Sequence, residues 1–222
     1  MRYETRDMSQ TRTIALNTSL PIAEGKVCSA LFIVTGFMPV SAIVLHCTGI
    51  LPLNLALGLL IFPFLLLLLS AGVYNRPIGR IAMRGWVAGL IAVFIYDLSR
   101  LPYMYFGWGD FIPRIGGWLT GTGEPDAVIG YAWRYIGNGG GMGMAFFVLA
   151  SLMGWNKPMI GKGIAFGLFV FSCLMVTLLI FPEAQKMMFK ITPLAFAGSL
   201  TGHIVYGAVL GWMYKKLTGW IS

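Results

Sequence analysis

Residues 161–182 read GKGIAFGLFVFSCLMVTLLIFP, an apolar run with a single charge, Lys162, near its beginning. A helix rises about 1.5 Å per residue, so a run of this length crosses the roughly 30 Å hydrocarbon core of a bilayer. Comparable runs recur along the chain, each bounded by charges, by Gly and Pro, or by a tight turn. They predict six membrane spans, at residues 27–48, 51–74, 84–107, 127–153, 161–182 and 193–214.

The composition excludes a soluble domain. Of the 222 residues, 57% are hydrophobic and 11% are charged, whereas about 25% of the residues in an ordinary soluble domain are charged. The predicted fold is therefore all-α, a polytopic membrane helix bundle of about six spans embedded in the lipid bilayer. The predicted parts are a cytosolic N-terminal tail (1–26), a two-helix N-terminal hairpin (27–75) and a four-helix membrane domain (84–216) with an interfacial segment at 108–126.

The basic residues behind the net charge of +8 indicate how the chain is oriented in the membrane. In a soluble protein this charge would suggest nucleic acid, but here the basic residues lie between the apolar runs, so no nucleic-acid partner is predicted. They collect in alternate connections, which the positive-inside rule assigns to the cytoplasm. The basic positions are Arg2, Arg6, Arg12 and Lys26, then Arg76, Arg80 and Arg84, then Lys157 and Lys162, then Lys215 and Lys216. Both termini are therefore predicted to be cytoplasmic.

The longest connection, residues 108–126, places Trp and other apolar side chains at helix-like spacing before a stretch rich in Gly and Pro. Trp favours the membrane interface, so the segment is predicted to lie along the outer surface as an aromatic anchor. The alternative is a lid over an outer cavity, because loops often carry function.

Spans three and five open with the same pattern, a basic residue followed by G-x-x-x-G-L, at residues 84–90 and 162–168. Laying Trp133 over His203 also places Gly137 and Gly141 of span four on Gly207 and Gly211 of span six. Spans 3–4 and 5–6 are therefore predicted to be a parallel internal repeat about an axis along the membrane normal. Glycines four residues apart form flat strips that favour close helix packing. The run of five glycines within residues 137–143 also predicts a local break in span four, a candidate ligand site.

Three charges fall in one layer of the outer half of the membrane. Counting along the spans places Asp97, Arg100 and Arg134 at similar depth. An isolated charge there costs at least ~2.5–3.5 kcal/mol, so these side chains are predicted to face the bundle interior or a wet cavity. They form either a structural clamp between helices or a site for an anion or another substrate.

A second polar group lies near the midplane. His203 and Tyr206 of span six come to the depth of Asn138 in span four. His203 serves either as a buried interhelical hydrogen-bonding group or in a proton relay or cofactor site. His46 lies near the outer end of span one, which disfavours a haem held by two histidines. The complete candidate polar cluster is Asp97, Arg100, Arg134, Asn138, His203 and Tyr206, and no catalytic, metal-binding or cofactor-binding residue is assigned.

The last span carries G-x-x-x-G-H-x-x-Y-G-x-x-x-G, from Gly198 to Gly211. This ending resembles the last helix of an uncharacterised prokaryotic integral-membrane family, a domain of unknown function with four spans. The likeness covers residues 84–216, and spans one and two are an addition to it. Family members often carry a His in the penultimate hairpin, where this chain has Trp133. The resemblance implies a four-span fold in a prokaryotic inner membrane and gives no substrate.

Three functions are compatible with these features. The first is a small-molecule or ion permease, or a transport accessory, using the polar layer. The second is a non-catalytic subunit or scaffold, either a homo-oligomer or bound to a partner membrane protein through its glycine faces. The third is a cofactor- or lipid-binding membrane protein, with the cofactor unknown. Nucleotide-binding, metalloprotease and hydrolase motifs are absent from the sequence, so an enzyme is not favoured.

Overall fold

The computed structural model describes residues 8–155 and 159–218, with side chains described over 25–155 and 159–217. Helices and short connections account for the described chain. The α-helices are α1 (Met8–Cys47), α2 (Leu53–Ala56), α3 (Phe62–Tyr74), α4 (Arg76–Tyr105), α5 (Ile112–Thr120), α6 (Ala127–Ala132), α7 (Gly140–Leu152), α8 (Met159–Ile180), α9 (Pro182–Met187) and α10 (Pro193–Thr218). Two π-helical segments, Leu57–Ile61 and Trp133–Gly139, join α2 to α3 and α6 to α7.

The predicted all-α bundle with six spans is confirmed. Within the described residues, six helical stretches are long and apolar enough to cross a membrane: Gly25–Cys47, Leu53–Tyr74, Arg76–Tyr105, Ala127–Leu152, Met159–Ile180 and Pro193–Leu217. We call the end of the bundle where α4 and α8 begin the basic face, and the opposite end, where residues 106–126 and 181–192 lie, the loop face.

Two helices begin earlier than the apolar runs suggested. Residues 76–83, predicted to be a connection, form the first turns of α4, because Asn75 Oδ1 accepts a hydrogen bond from the Ile78 amide (3.4 Å) and Pro77 occupies the first turn. The predicted boundary of the cytosolic tail at residue 26 falls inside α1. Residues 1–7 of that tail and the basic position Lys157 lie outside the described residues.

The spans are arranged as an incomplete ring. α4 packs between α7 and α10, α8 packs on the far side of α10, and α1 packs on the far side of α7. The ends of this row, α1 and α8, approach each other through the ring of Phe37, which lies 5.8 Å from Phe166 and 6.4 Å from Phe169. α3 lies outside the row against α1 and α4, and none of its residues is buried. A seam between α1 and α8 therefore faces the bilayer.

The two hairpins of the predicted repeat share one crossing. A methyl group added at Gly85 or Gly89 of α4 would collide with the carbonyl oxygen of Gly143 or Gly139, respectively. In the second hairpin, a methyl group at Gly163 or Gly167 of α8 would collide with the carbonyl oxygen of Gly207 or His203. Backbone therefore meets backbone in both hairpins, at sites where only glycine fits.

The predicted alignment of the repeat within span four is wrong. Gly139 and Gly143, not Gly137 and Gly141, make the contacts that correspond to those of α10. Gly141 meets the backbone of Gly36 in α1 instead, and Gly137 meets Pro39. Residues two apart point about 200° apart around a helix, so span four has glycine strips on two opposite faces. The spacing of glycines alone does not distinguish the strip that faces α4 from the strip that faces α1.

The loop face is covered by the connections. α5 packs against α6 at Gly116 and Gly130, and Ile112 and Ile115 of α5 are buried beneath it. Arg114 Nη1 of α5 donates hydrogen bonds to the backbone carbonyls at the end of α9. Trp108, expected to be an interfacial anchor, is only 5% exposed. Segment 108–126 thus folds onto the bundle and closes its loop-face end.

Candidate functional site

Buried Arg134 and half-buried Asp97 form an ion pair between α4 and the π-helical segment Trp133–Gly139. Arg134 Nε lies 2.9 and 3.0 Å from the two carboxylate oxygens of Asp97, and Nη2 also donates to Oδ1. Arg100, one turn along α4, places Nη1 3.7 Å from the same Oδ1. The three predicted charges are therefore brought together, with Asp97 between two cations.

A second carboxylate, missed in the sequence, completes the network. Asp110 Oδ1 lies 3.3 Å from Arg100 Nη2 and accepts a hydrogen bond from the Ile112 amide, while Oδ2 accepts one from the Tyr131 hydroxyl (2.8 Å). Asp110 stands outside the apolar runs, so its position in the chain suggested an exposed loop. The available signal in the sequence was the glycine at position 107. In the structure its φ is +104°, and the chain turns back there over the end of α4.

The network is electrically balanced and enclosed by aromatic rings. Two guanidinium groups face two carboxylates, so there is no excess cation. The guanidinium of Arg100 lies 4.7 Å from the Trp108 ring centroid, and that of Arg134 lies 4.7 Å from the Tyr96 centroid. Arg100 is 1% exposed. Pairing and ring contacts together offset the cost of burying these charges.

Span four remains helical through its run of glycines. The predicted local break takes the form of the π-helical segment, whose wide turn redirects backbone carbonyls away from the usual helical bonds. Two side chains satisfy such carbonyls: Trp86 Nε1 donates to Ile136 O (3.1 Å), and the Tyr206 hydroxyl donates to Gly139 O (2.7 Å). The irregular backbone is therefore held by α4 on one side and α10 on the other.

The incomplete ring encloses a cavity of about 360 Å³, which we call the lateral cavity. Its mouth lies in the seam, where Ser41 of α1 and Phe169 and Cys173 of α8 are exposed. All three belong to membrane spans, so the mouth faces the hydrocarbon layer. The volume lies within the range of about 300–1,000 Å³ that is typical of small-molecule sites.

The wall of the lateral cavity is mostly apolar and has one polar region. Four predicted site residues line that region: Arg134, Asn138, His203 and Tyr206. Asp97 and Arg100 do not line the cavity, and they lie in the charge network behind Arg134. The six candidate residues thus separate into a cavity wall and the ion pairs that support it.

Two groups on the polar wall have unused hydrogen-bonding capacity. His203 Nδ1 lies 2.7 Å from the carbonyl oxygen of Ser199, and a carbonyl only accepts, so Nδ1 carries the proton. The neutral ring then presents Nε2 as an acceptor, and the hydrogen bonds that the described residues make with the His203 ring involve Nδ1. Asn138 Oδ1 is buried and unpaired within the described chain. Arg134 and Tyr206, in contrast, donate to Asp97 and Gly139.

His203 is held rigidly by its surroundings. It is 8% exposed, and its ring centroid lies 5.3 Å from that of Tyr96, edge to face, and 5.7 Å from that of Phe171. With Nδ1 bound to the Ser199 carbonyl, the ring orientation is fixed on both sides. A fixed acceptor at the end of an apolar cavity is suited to orienting a ligand.

A second pocket, of about 340 Å³, lies on the loop face between the connections. We call it the loop-face pocket. Its lining is more polar and includes Asp110, Arg114, Lys186 and Lys190. Phe111 and Met188 line both this pocket and the lateral cavity.

The other titratable groups are dispersed. In the described part of the chain, no cluster of three or more His, Cys, Asp or Glu residues is arranged to hold a metal ion. His46 does not line the lateral cavity; its Nδ1 accepts from the Leu53 amide (3.3 Å) and its ring lies 4.7 Å from Trp118. The three cysteines are free thiols, and of these only Cys173 reaches the cavity.

Comparison of the chain with models of protein families, with characterised proteins and with solved structures gives no match.

Proposed function

We propose that this protein binds an amphiphilic small molecule that is dissolved in the bilayer, and that the head of this ligand carries a hydrogen-bond donor such as a hydroxyl group. The observation that carries the proposal is the lateral cavity, whose mouth opens in the α1–α8 seam and whose inner wall presents Asn138 and His203. A ligand entering from lipid keeps its apolar body in an apolar environment throughout.

The chemistry of the head follows from the unpaired groups. His203 Nε2 accepts a hydrogen bond, and the Asn138 amide is unpaired at Oδ1. Arg134 faces the cavity but is neutralised by Asp97, so an anionic head gains little from it. Leaving a buried acceptor unpaired costs about 1–3 kcal/mol, which a hydroxyl head would recover on binding. A neutral head that donates therefore fits better than an anionic head or one that only accepts.

The cellular setting is part of the proposal. The resemblance of the last span supports a prokaryotic inner-membrane location, and the distribution of Lys and Arg supports placing both termini in the cytoplasm. The basic face is then cytoplasmic, and the loop face and its pocket are external. Such a protein could act as a permease or transport accessory for its amphiphile, the first function suggested by the sequence.

The experiment uses a photoactivatable long-chain alcohol that carries a diazirine, added to the full chain in lipid nanodiscs. Crosslinked residues are located by mass spectrometry, and unlabelled long-chain alcohol serves as competitor. We expect saturable labelling of cavity residues such as Asn138 and Val170. Uniform labelling of all lipid-facing helices, without competition, would contradict the proposal.

A matched pair of variants tests the route of entry. Ser41→Trp places a bulky side chain at the cavity mouth, and Ser70→Trp places the same side chain on the exposed surface of α3, away from the cavity. Saturable labelling should be lost in Ser41→Trp and retained in Ser70→Trp. Equal labelling in the two variants would show that the seam is not the entrance.

A further inference from the structure

The lateral cavity and the loop-face pocket are separated by two side chains. Phe111 immediately precedes α5, and Met188 immediately follows α9. These two are the only described residues that line both spaces. The cavity opens toward lipid, whereas the pocket lies between the connections on the loop face. A thin partition therefore divides an apolar compartment from a polar one.

Phe111 of the partition packs against an aromatic ring and a guanidinium group. The Phe111 ring lies 5.3 Å from the Phe189 ring and 5.8 Å from the Arg100 guanidinium. Met188 has an unbranched, flexible side chain that can change rotamer at low cost. The backbone around the two residues is anchored: Asp110 Oδ1 accepts from the Ile112 amide, and Arg114 binds the Lys186 and Met187 carbonyls. The two side chains can thus move while the connections stay in place.

We infer that the two spaces form one path, and that Phe111 and Met188 are its gate. This inference rests on the proposed function, and it adds transfer to binding. The hydroxyl amphiphile enters through the seam, places its head near Asn138 and His203, and passes its head between Phe111 and Met188 into the loop-face pocket. The Asp110 carboxylate and the Lys190 ammonium in that pocket replace the hydrogen bonds that the head leaves behind.

The position of Cys173 makes the gate measurable. This free thiol lines the lateral cavity inside a membrane span, where a charged reagent does not reach it through lipid. A sulfonate-bearing methanethiosulfonate added to the full chain in nanodiscs reaches Cys173 only by passing the gate. Modification is followed by mass spectrometry of the peptide that contains Cys173, so that Cys28 and Cys47 do not interfere.

We expect slow modification of Cys173 in the unchanged protein and modification about tenfold faster in Phe111→Ala and in Met188→Ala, as the open state rises from a minor population. Val40→Ala is the matched control, since Val40 lines the lateral cavity but not the loop-face pocket, and its truncation should change the rate by less than about twofold. Phe111→Leu, a milder change, and a reporter nearer the gate, Thr177→Cys, are measured alongside.

Equal rates in the unchanged protein and in all partition variants, at both reporter positions, would overturn the gate. So would an acceleration in Val40→Ala as large as that in Phe111→Ala. Photolabelling by the long-chain alcohol in the same variants separates failure of the gate from failure of the proposed function. If labelling is retained but the Cys173 rates do not change, only the gate is overturned. If the unchanged protein shows no saturable labelling, the proposed function itself is overturned.

Discussion

The two hairpins, α4 with span four and α8 with α10, share their crossing and differ in chemistry. Gly85 and Gly89 correspond to Gly163 and Gly167, each 78 residues later in the chain. The same offset places Met175 where the first hairpin has Asp97 and places Leu178 where it has Arg100. Both counterparts are buried apolar residues, at 6% and 0% exposure. The second hairpin thus crosses without any ion pair at these positions.

The difference between the hairpins separates two roles that span three combines: close packing against another helix, and the ion-pair network. Glycine provides the close approach in both hairpins, so the charges are not needed for the crossing. The charges instead connect parts that have no counterpart in the second hairpin. Arg134 joins the π-helical segment to α4, and Asp110 joins the 106–111 connection to Arg100 and Tyr131. The network therefore fixes the wall of the lateral cavity and the residues beside the gate.

The largest expected effect is that of Asp97→Asn. This change leaves Arg134 and Arg100 with one carboxylate between them in a buried site, and removal of one partner from a buried pair costs about 3–5 kcal/mol. Reversible unfolding in mixed micelles measures the loss. Glu183→Gln is the control, since the Glu183–Lys186 pair on the loop face is about two-thirds exposed, and we expect its loss to be within about 1 kcal/mol. Similar losses in the two variants would contradict a stabilising role for the network.

The second hairpin predicts a rescue. If the crossing needs no charges, Asp97→Leu combined with Arg134→Met should be more stable than Asp97→Asn by about 2–4 kcal/mol, because apolar residues of similar volume often replace a buried pair at little cost. Arg100 keeps Asp110 as its partner in this variant. The same unfolding measurement applies. A double variant as unstable as Asp97→Asn would mean that the first hairpin depends on its charges in a way that the second does not.

The glycine crossings should respond alike. A methyl group at Gly89 or at Gly167 meets a backbone carbonyl of the facing helix, so Gly89→Ala and Gly167→Ala are each expected to destabilise the bundle by about 1–3 kcal/mol. Gly58→Ala is the control, because nothing lies within 4 Å of the added methyl group. Thermal denaturation in the same micelles compares the three. A loss confined to one hairpin would contradict the equivalence of the two crossings.

The spans and the glycine crossings follow from local pattern and could be predicted. Span length depends on the thickness of the bilayer, and a G-x-x-x-G strip indicates close packing whatever the partner helix. The partner of each strip is a tertiary property, which is why glycine spacing alone assigns Gly137 and Gly141 to the repeat although they face α1. A span with glycines on two faces carries no local mark of which neighbour each face meets.

The sequence could predict which residues belong to the candidate site. It could not predict which of them line the lateral cavity and which form the ion pairs behind it. Depth along a span identified Asp97, Arg134 and His203, since ionisable groups at membrane depth are rare. Whether such a group faces a cavity or an ion pair depends on rotation and on residues distant in sequence. Asp110 shows this best, because its role arises from a chain reversal at Gly107. The lateral cavity depends on the gap between α1 and α8, which no single segment encodes.

The smallest expected effect tests His203, a polar residue of the second hairpin that lines the lateral cavity. His203→Phe keeps a ring at the position but removes the Nε2 acceptor. In the unchanged protein, the photoactivatable alcohol should label the cavity about 2- to 12-fold better than its methyl ether, the ratio that corresponds to a hydrogen bond of about 0.5–1.5 kcal/mol. The ratio should fall to about one in His203→Phe, because both probes then lack a partner at that position.

Using a ratio of two probes in one variant cancels any general loss of stability caused by the freed Ser199 carbonyl. Thr201→Val supplies the matched control: Thr201 lies two residues before His203 on α10, outside the lateral cavity, and its hydroxyl shares a hydrogen bond with the Tyr103 hydroxyl (2.9 Å). Its alcohol-to-ether ratio should equal that of the unchanged protein. If the alcohol-to-ether labelling ratio in His203→Phe stays as high as in the unchanged protein, recognition of the ligand head is assigned to Asn138. The difference between the hairpins would then lie in span four alone.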